Sequence, residues 1–149
     1  MSNKFNINAL TQKHSLGLTE DVKYIREVVF VDEQKFLDEF DNLDPIVQHI
    51  TFYYNNKPIA CCRYLKADDN NNNSYQIGRI AVLKEYRGNG IGKHILYTVE
   101  QLLKEKGANK LILSAQTRAK DFYKKCGYTE TGTTYYEEYC KHIKMFKEL

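Results

Sequence analysis

A mixed α/β fold is what this 149-residue sequence predicts, built on one mostly antiparallel sheet with a single parallel strand pair and flanking helices. Three observations lead there. Short segments rich in Val, Ile, Phe and Tyr alternate with turn residues. One strand–turn–helix–strand run spans residues 75–115, which is a βαβ crossover. Antiparallel hairpin signals lie on either side of it.

The elements follow in order. Thr19 is placed to cap a helix beginning at Glu20 and Asp21, where acids favour the positive helix end. Val22, Ile25, Val29 and Phe30 recur at helical spacing, which predicts a helix ending near Glu33. Residues 46–54 read as a strand, Asn55-Asn56-Lys57-Pro58 as a turn, and 59–65 as the second arm of a hairpin. Residues 66–74 form a polar loop carrying the run Asn70 to Asn73, read as a hairpin tip outside any core. Residues 75–82 make a third strand.

A strong helix at 91–106 follows, with Ile91, Ile95, Val99, Leu102 and Leu103 in one stripe and Gly107 as its stop. Leu111-Ile112-Leu113 is a short buried strand. Ala119, Phe122, Tyr123 and Cys126 share one side of the next helix, ended by Gly127, and Phe122 reads as its core residue. Residues 128–136 and 142–146 read as a last hairpin. Tyr135, Tyr136, Tyr139 and Phe146 could support a homodimer or cover the sheet.

Composition narrows the class. With 42% hydrophobic and 28% charged residues, the chain is expected to form a single domain over 1–149. No apolar run reaches 18 residues, which argues against a membrane span. Met1 to Asn6 lacks an apolar signal region, so a cytoplasmic location is expected. A net charge of +3 is too mild and too evenly spread for a nucleic-acid binder. The acids of the stretch from Asp32 to Asp44 read either as a solvated segment or as substrate-facing. Cys61, Cys62, Cys126 and Cys140 form no C-x-x-C pair and read as free thiols. His14, His49, His94 and His142 are scattered, so no metal site is expected.

The chemistry sits in Arg87-Gly88-Asn89-Gly90-Ile91-Gly92. A strand leading through glycines into a helix start presents unpaired N–H groups and a positive dipole end. That predicts a bound diphosphate. A Walker A loop is excluded, because Lys93 is followed by His94 and the position five before Gly92 is Arg87. A dinucleotide fingerprint fits Gly88 and Gly90 but then meets Lys93.

Arg87-x-x-Gly90-x-Gly92 resembles the Q/R-x-x-G-x-G/A motif of the GNAT acetyltransferase family. Arg79-Ile80-Ala81-Val82 precedes it, and Asp121-Phe122-Tyr123-Lys124-Lys125-Cys126-Gly127-Tyr128 resembles that family's F-Y-x-x-x-G-F/Y stretch. The resemblance covers residues 75–128. It implies the GNAT fold, with its parallel strand pair splayed, and acetyl-CoA as co-substrate. Backbone groups of Ile80, Ala81 and Val82 would hold the pantetheine arm, and an N–H near Val82 would polarise the thioester carbonyl. The N–H groups of Arg87, Gly88, Asn89, Gly90, Ile91, Gly92 and Lys93 would hold the pyrophosphate. Tyr123 would protonate the departing thiolate.

An amine must lose a proton before it attacks. Glu33, in a Phe30-Val31-Asp32-Glu33-Gln34 segment that resembles a bacterial subgroup, is one candidate base. His49 is a second, since imidazole titrates near neutrality, and a water relay is a third. Arg63 and Arg79 on neighbouring strands are candidates for binding an anionic acceptor. With a loose similarity to short glucosamine-6-phosphate N-acetyltransferases, they make glucosamine 6-phosphate the leading acceptor. A protein lysine or N-terminus, a polyamine, and a sensor that binds CoA without catalysis remain open.

Overall fold

The computed structural model describes residues 4–67 and 73–149. The tip of the predicted polar loop, with most of its asparagine run, lies outside them. Seven strands make one mixed sheet in the order β1-β2-β3-β4-β5-β7-β6. They are β1 (Thr11–Leu16), β2 (Gln48–Tyr54), β3 (Lys57–Lys66), β4 (Ser74–Val82), β5 (Lys110–Gln116), β6 (Thr129–Glu137) and β7 (Cys140–Glu148). The helices are α1 (Glu20–Arg26), α2 (Ile91–Glu105) and α3 (Lys120–Lys125). β4 and β5 run parallel through three register pairs, Ser74–Lys110, Tyr75–Leu111 and Gln76–Ile112. β4 then continues to Val82 past Arg79, whose φ of 50° lies in the left-handed region. A non-glycine residue held there marks a local kink in the strand.

The chain divides into two units, and the boundary cuts β3, β4 and α2. The first holds Met1–Arg63 and Arg79–Ile95. Thr19 caps α1 as predicted, its Oγ1 accepting from the Val22 N–H at 3.2 Å. The predicted helix changes form at Glu27, where a π-helical stretch (Glu27–Glu33) takes over. That wider winding ends at a left-handed Lys35 (φ 66°). Val22, Ile25, Val29 and Phe30 are all buried, as the helical spacing required. β1 was not foreseen, and the reason is visible in its surface. Five of its six residues are exposed, so it carries no inward period, and it is held antiparallel along β2 from Thr11–Tyr53 to Leu16–Gln48.

The second unit holds Tyr64–Gly78 and Leu96–Leu149. Its core collects Leu96, Val99 and Leu103 of α2 with Leu111 and Leu113 of β5 and Ile143 and Met145 of β7. The strand predicted to end the crossover at 110–115 is β5, paired along its full length with β7 from Lys110–Glu148 to Gln116–His142. Glu100 is buried yet satisfied: the Tyr128 hydroxyl donates to it at 2.9 Å and Lys147 Nζ at 3.0 Å. Phe122 corrects the sequence reading. It is 39% exposed rather than core, while Tyr128 beyond the helix is 3% exposed. Within this six-residue helix Tyr123 is half-buried, and Tyr128 beyond it is the buried aromatic.

Leu103 is fully buried. Leu103→Ala should therefore cost about 2–5 kcal/mol, read as a lowered urea midpoint with an unchanged slope.

Candidate active site

The turn after β4 is built by its glycines. A 3-10 turn (Lys84–Tyr86) closes with Tyr86 N–H to Leu83 O at 3.0 Å, and Arg87 N–H to Lys84 O at 3.2 Å. Gly88 and Gly90 then take φ of 82° and 78°. A side chain would meet nothing within 4 Å at either position. Glycine is required there by backbone conformation, not by crowding. The Asn89 side chain donates to Tyr86 O at 2.9 Å and braces the turn. α2 opens at Ile91, and its first intrahelical bond to the turn runs from His94 N–H to Gly90 O at 3.0 Å. The N–H groups of Ile91, Gly92 and Lys93 have no partner within the helix. This arrangement fits a diphosphate.

Arg87 locks the turn. Its Nε donates to Val82 O at 2.9 Å, and its two terminal nitrogens donate to the two Glu33 carboxylate oxygens at 2.6 and 2.7 Å. The Glu33 hydrogen bond raises the guanidinium pKa further. Glu33, one candidate base, is thus held in a two-pronged ion pair. His49, the other, is fully buried. Its Nε2 donates to Asp44 O at 3.0 Å, and burial lowers its pKa, so the ring is neutral. Its Nδ1 has no hydrogen-bond partner. That nitrogen is itself buried.

Arg63 and Arg79 differ most from expectation. Arg63 is 6% exposed and donates to Asp41 at 2.7 and 2.8 Å and to Asp44 at 2.8 Å. Arg79 pairs with Glu39 at 3.0 Å and donates to the Glu39 carbonyl. An anionic acceptor would have to displace those acids. The acidic run is likewise not solvated throughout: Glu39 within it and Asp44 at its end are buried. Arg26, fully buried, donates to Glu39 at 2.8 Å and to Asp44 at 2.6 and 3.1 Å. The sequence held a signal for it. Arg26 sits four residues after Val22 and four before Phe30, on the apolar stripe, where an arginine needs buried acids.

The carboxylates respond in opposite directions. Burial raises Glu39, outweighing Arg79 and Arg26. Burial also opposes Asp44, but hydrogen bonds from Arg26 and the Asp41 N–H, with the charges of Arg26 and Arg63, bring it down to about 2.

In the second unit, Tyr123 is partly buried on α3, edge-on to Phe122 at 5.1 Å and to Tyr128 at 6.1 Å. Burial pushes its phenol up to about 12. It is fully protonated at neutral pH. Cys61 and Cys62 both lie buried, with burial pushing the Cys61 thiol up to about 12 and Cys62 well above its ordinary value.

The acetyltransferase (GNAT) family model matches residues 18–128. The chain belongs to that family. It is an N-acetyltransferase that draws its acetyl group from acetyl-CoA. The Bacillus subtilis (strain 168) N-acetyltransferase YjcF is 35% identical over 132 residues, covering 87% of this chain and 91% of that one. The crystal structure of Escherichia coli ElaA aligns over 93% of this chain and 99% of its own, with a TM-score of 0.80 at 25% identity. A GNAT acetyltransferase from Elizabethkingia anophelis, crystallised with acetyl-CoA bound, shares the fold at a TM-score of 0.72 and 19% identity, over 95% and 99% of the two chains.

Two outcomes follow for the buried ions. Arg26→Met leaves Glu39 and Asp44 short of charge, and should cost about 3–5 kcal/mol in urea unfolding. The Asp44 pKa is lower folded than unfolded, so its contribution is complete above the ordinary carboxylate pKa of 3.8 and is lost as pH falls through about 2. Asp44→Asn should flatten the stability decline across that window, by roughly 2 kcal/mol, as well as lowering stability at pH 7.

Proposed function

We propose that this acetyltransferase acetylates a small, uncharged-to-cationic primary amine by direct attack within a ternary complex, using Arg87 to Lys93 as the diphosphate cradle. The observation that carries the cradle is the glycine turn: left-handed Gly88 and Gly90 deliver the chain into a 15-residue helix whose first N–H groups lack helical partners. Acetyl-CoA supplies an activated thioester carbonyl for the amine to attack.

The chain's own groups divide the remaining work. The backbone of Ile80, Ala81 and Val82, on β4 beyond its pairing with β5, offers amide donors and acceptors to an extended pantetheine arm. An N–H near Val82 stabilises negative charge on the thioester oxygen. Arg87, tied to Val82 O and to Glu33, holds the strand end and the turn as one piece. Glu33 is assigned to that bracing role, since removing its charge would cost the pair with Arg87, and the proton of the attacking amine leaves through a water relay to solvent. Tyr123 carries the proton for the leaving thiolate. Its pKa of about 12 makes transfer to a free thiolate uphill, so donation accompanies C–S cleavage rather than following it.

Glucosamine 6-phosphate rested on Arg63 and Arg79 as its phosphate site. Both guanidiniums carry internal carboxylates, so amines without a phosphate group are favoured. Thiol release from acetyl-CoA over a panel of diamines, lysine derivatives and glucosamine 6-phosphate tests the assignment. Turnover on cationic amines and none on the sugar phosphate supports it; the reverse overturns it. Tyr123→Phe should lower kcat about a hundredfold with acetyl-CoA affinity unchanged by calorimetry. Unaltered turnover would remove Tyr123 from the mechanism.

A further inference from the structure

His49 takes no part in the acetyl-transfer roles above, yet it lies fully buried in the first unit, at the second position of β2. A neutral imidazole carries one ring proton. Here that proton is on Nε2, which donates to Asp44 O at 3.0 Å. Nδ1 keeps a bare lone pair, buried and without a hydrogen-bond partner. A second proton can enter only at Nδ1, where it would make a buried donor with no acceptor.

The charges acting on the ring come from three elements. Asp44 Oδ1, from the segment ahead of β2, lies 4.0 Å from Nε2. That carboxylate is already shared by Arg26 of α1, at 2.6 and 3.1 Å, and by Arg63 of β3, at 2.8 Å. Both guanidiniums oppose a positive ring. Ser15, opposite His49 on β1, brings no charge, and its hydroxyl donates to Gly17 O. Burial first, and then the two arginines, outweigh the pull of Asp44 and hold the imidazole pKa below its ordinary 6.5.

The two sides of this contact are held unequally. β2 is paired with β1 along its length and lies next to β3 in the sheet. Residues 37–46 form neither helix nor strand. Their backbone bonds to one another are local, Asp44 N–H to Asp41 O at 3.3 Å and Ile46 N–H to Leu43 O at 2.9 Å. The flanks are anchored by Phe36 N–H to Phe30 O and Gly17 N–H to Val47 O, each at 2.9 Å. Between those anchors, side chains tie the segment to α1 and the strands: Arg26 and Arg79 at Glu39, Arg26 and Arg63 at Asp44, and His49 at the Asp44 carbonyl. Swinging this segment outward hydrates the ring at less cost than unpairing β2.

We propose that His49 is an acid-sensitive latch for residues 37–46: the neutral ring holds the segment at Asp44 O, and protonation at Nδ1 releases it into an open form in which the new N–H meets water. The latch requires neither acetyl-CoA nor an acceptor. Opening takes up one proton, because the closed form has the lower imidazole pKa. The closed form is therefore at full strength above pH 6.5, and the open population rises up to tenfold per pH unit below it, until the closed-form pKa is reached. The neighbouring carboxylates do not imitate this. Asp41 and Asp44 titrate below 3.8, and Glu39, whose pKa burial raises, would tighten the closed form on acidification.

Hydrogen exchange read by NMR on the full chain, between about pH 8 and about pH 5, tests the latch. Protection factors remove the intrinsic pH dependence of exchange. The Asp44 and Ile46 amides should be less protected than those of β2 at every pH, and their protection should fall by up to tenfold per unit below pH 6.5. His49→Gln retains a donor for Asp44 O and cannot titrate, so the fall should vanish. A flat wild-type profile overturns the latch, as does an equal fall in a His49→Gln chain that keeps the wild-type melting temperature. Protection of the segment equal to that of β2 overturns it too, since the whole unit would then be opening. If His49→Gln does not fold, the wild-type ring signal carries the check: the fall should continue to the pH at which His49 is half-titrated, and a fall that stops while the ring is still neutral overturns the assignment.

Discussion

Arg26 is the constraint on which the first unit depends. A guanidinium with no exposed surface cannot give up its charge and cannot remain unpaired. It draws Glu39 and Asp44 inward, and those acids bring with them the segment between Glu33 and β2, which has no regular backbone pairing of its own. Arg63 from β3 and Arg79 from β4 complete the set, so that three arginines meet Glu39, Asp41 and Asp44. The Glu39 carbonyl accepts from both Arg26 and Arg79, which satisfies irregular backbone as well as side chains. Burying such a cluster brings little net stability compared with an apolar core of equal volume. What it brings is position: the segment has one way to sit in which all its charges are matched.

The same logic, on a more exposed scale, holds the glycine turn after β4. Arg87 spans the end of β4, the turn and the end of the π-helical stretch through Val82 O and Glu33. Arg79 bends β4 in a left-handed conformation just ahead of Ile80, Ala81 and Val82. That strain is tolerated because the Arg79 side chain is fixed by Glu39. The end of β4 and the charge network around the acidic segment are thus mechanically one arrangement within this unit.

The second unit uses polar groups differently. Glu100 is closed off by Tyr128 and Lys147 and serves packing. Glu137 meets His142 and Ser114 but keeps an open side. Two carboxylates with similar numbers of partners thus differ in exposure. Tyr123 is kept protonated by burial.

Local rules made the helices, the parallel crossover and the glycine turn readable from sequence alone. Capping by Thr19, the apolar spacing of α1 and α2, and the Arg87–Gly92 pattern each depend on residues within a few positions of one another. The family and its acetyl donor follow from that turn taken together with the stretch from Asp121 to Tyr128, for the same reason. β1 was silent because an exposed edge strand has no inward period. The fates of Arg63, Arg79, Glu33, His49 and the acidic run were decided only by tertiary structure, since their partners lie 5 to 54 residues away. The Ser114–Glu137–His142 cluster is the same case, assembled from three strands by sheet register. Spacing along a chain determines which face a side chain occupies; only the pairing of distant segments determines which charge it meets.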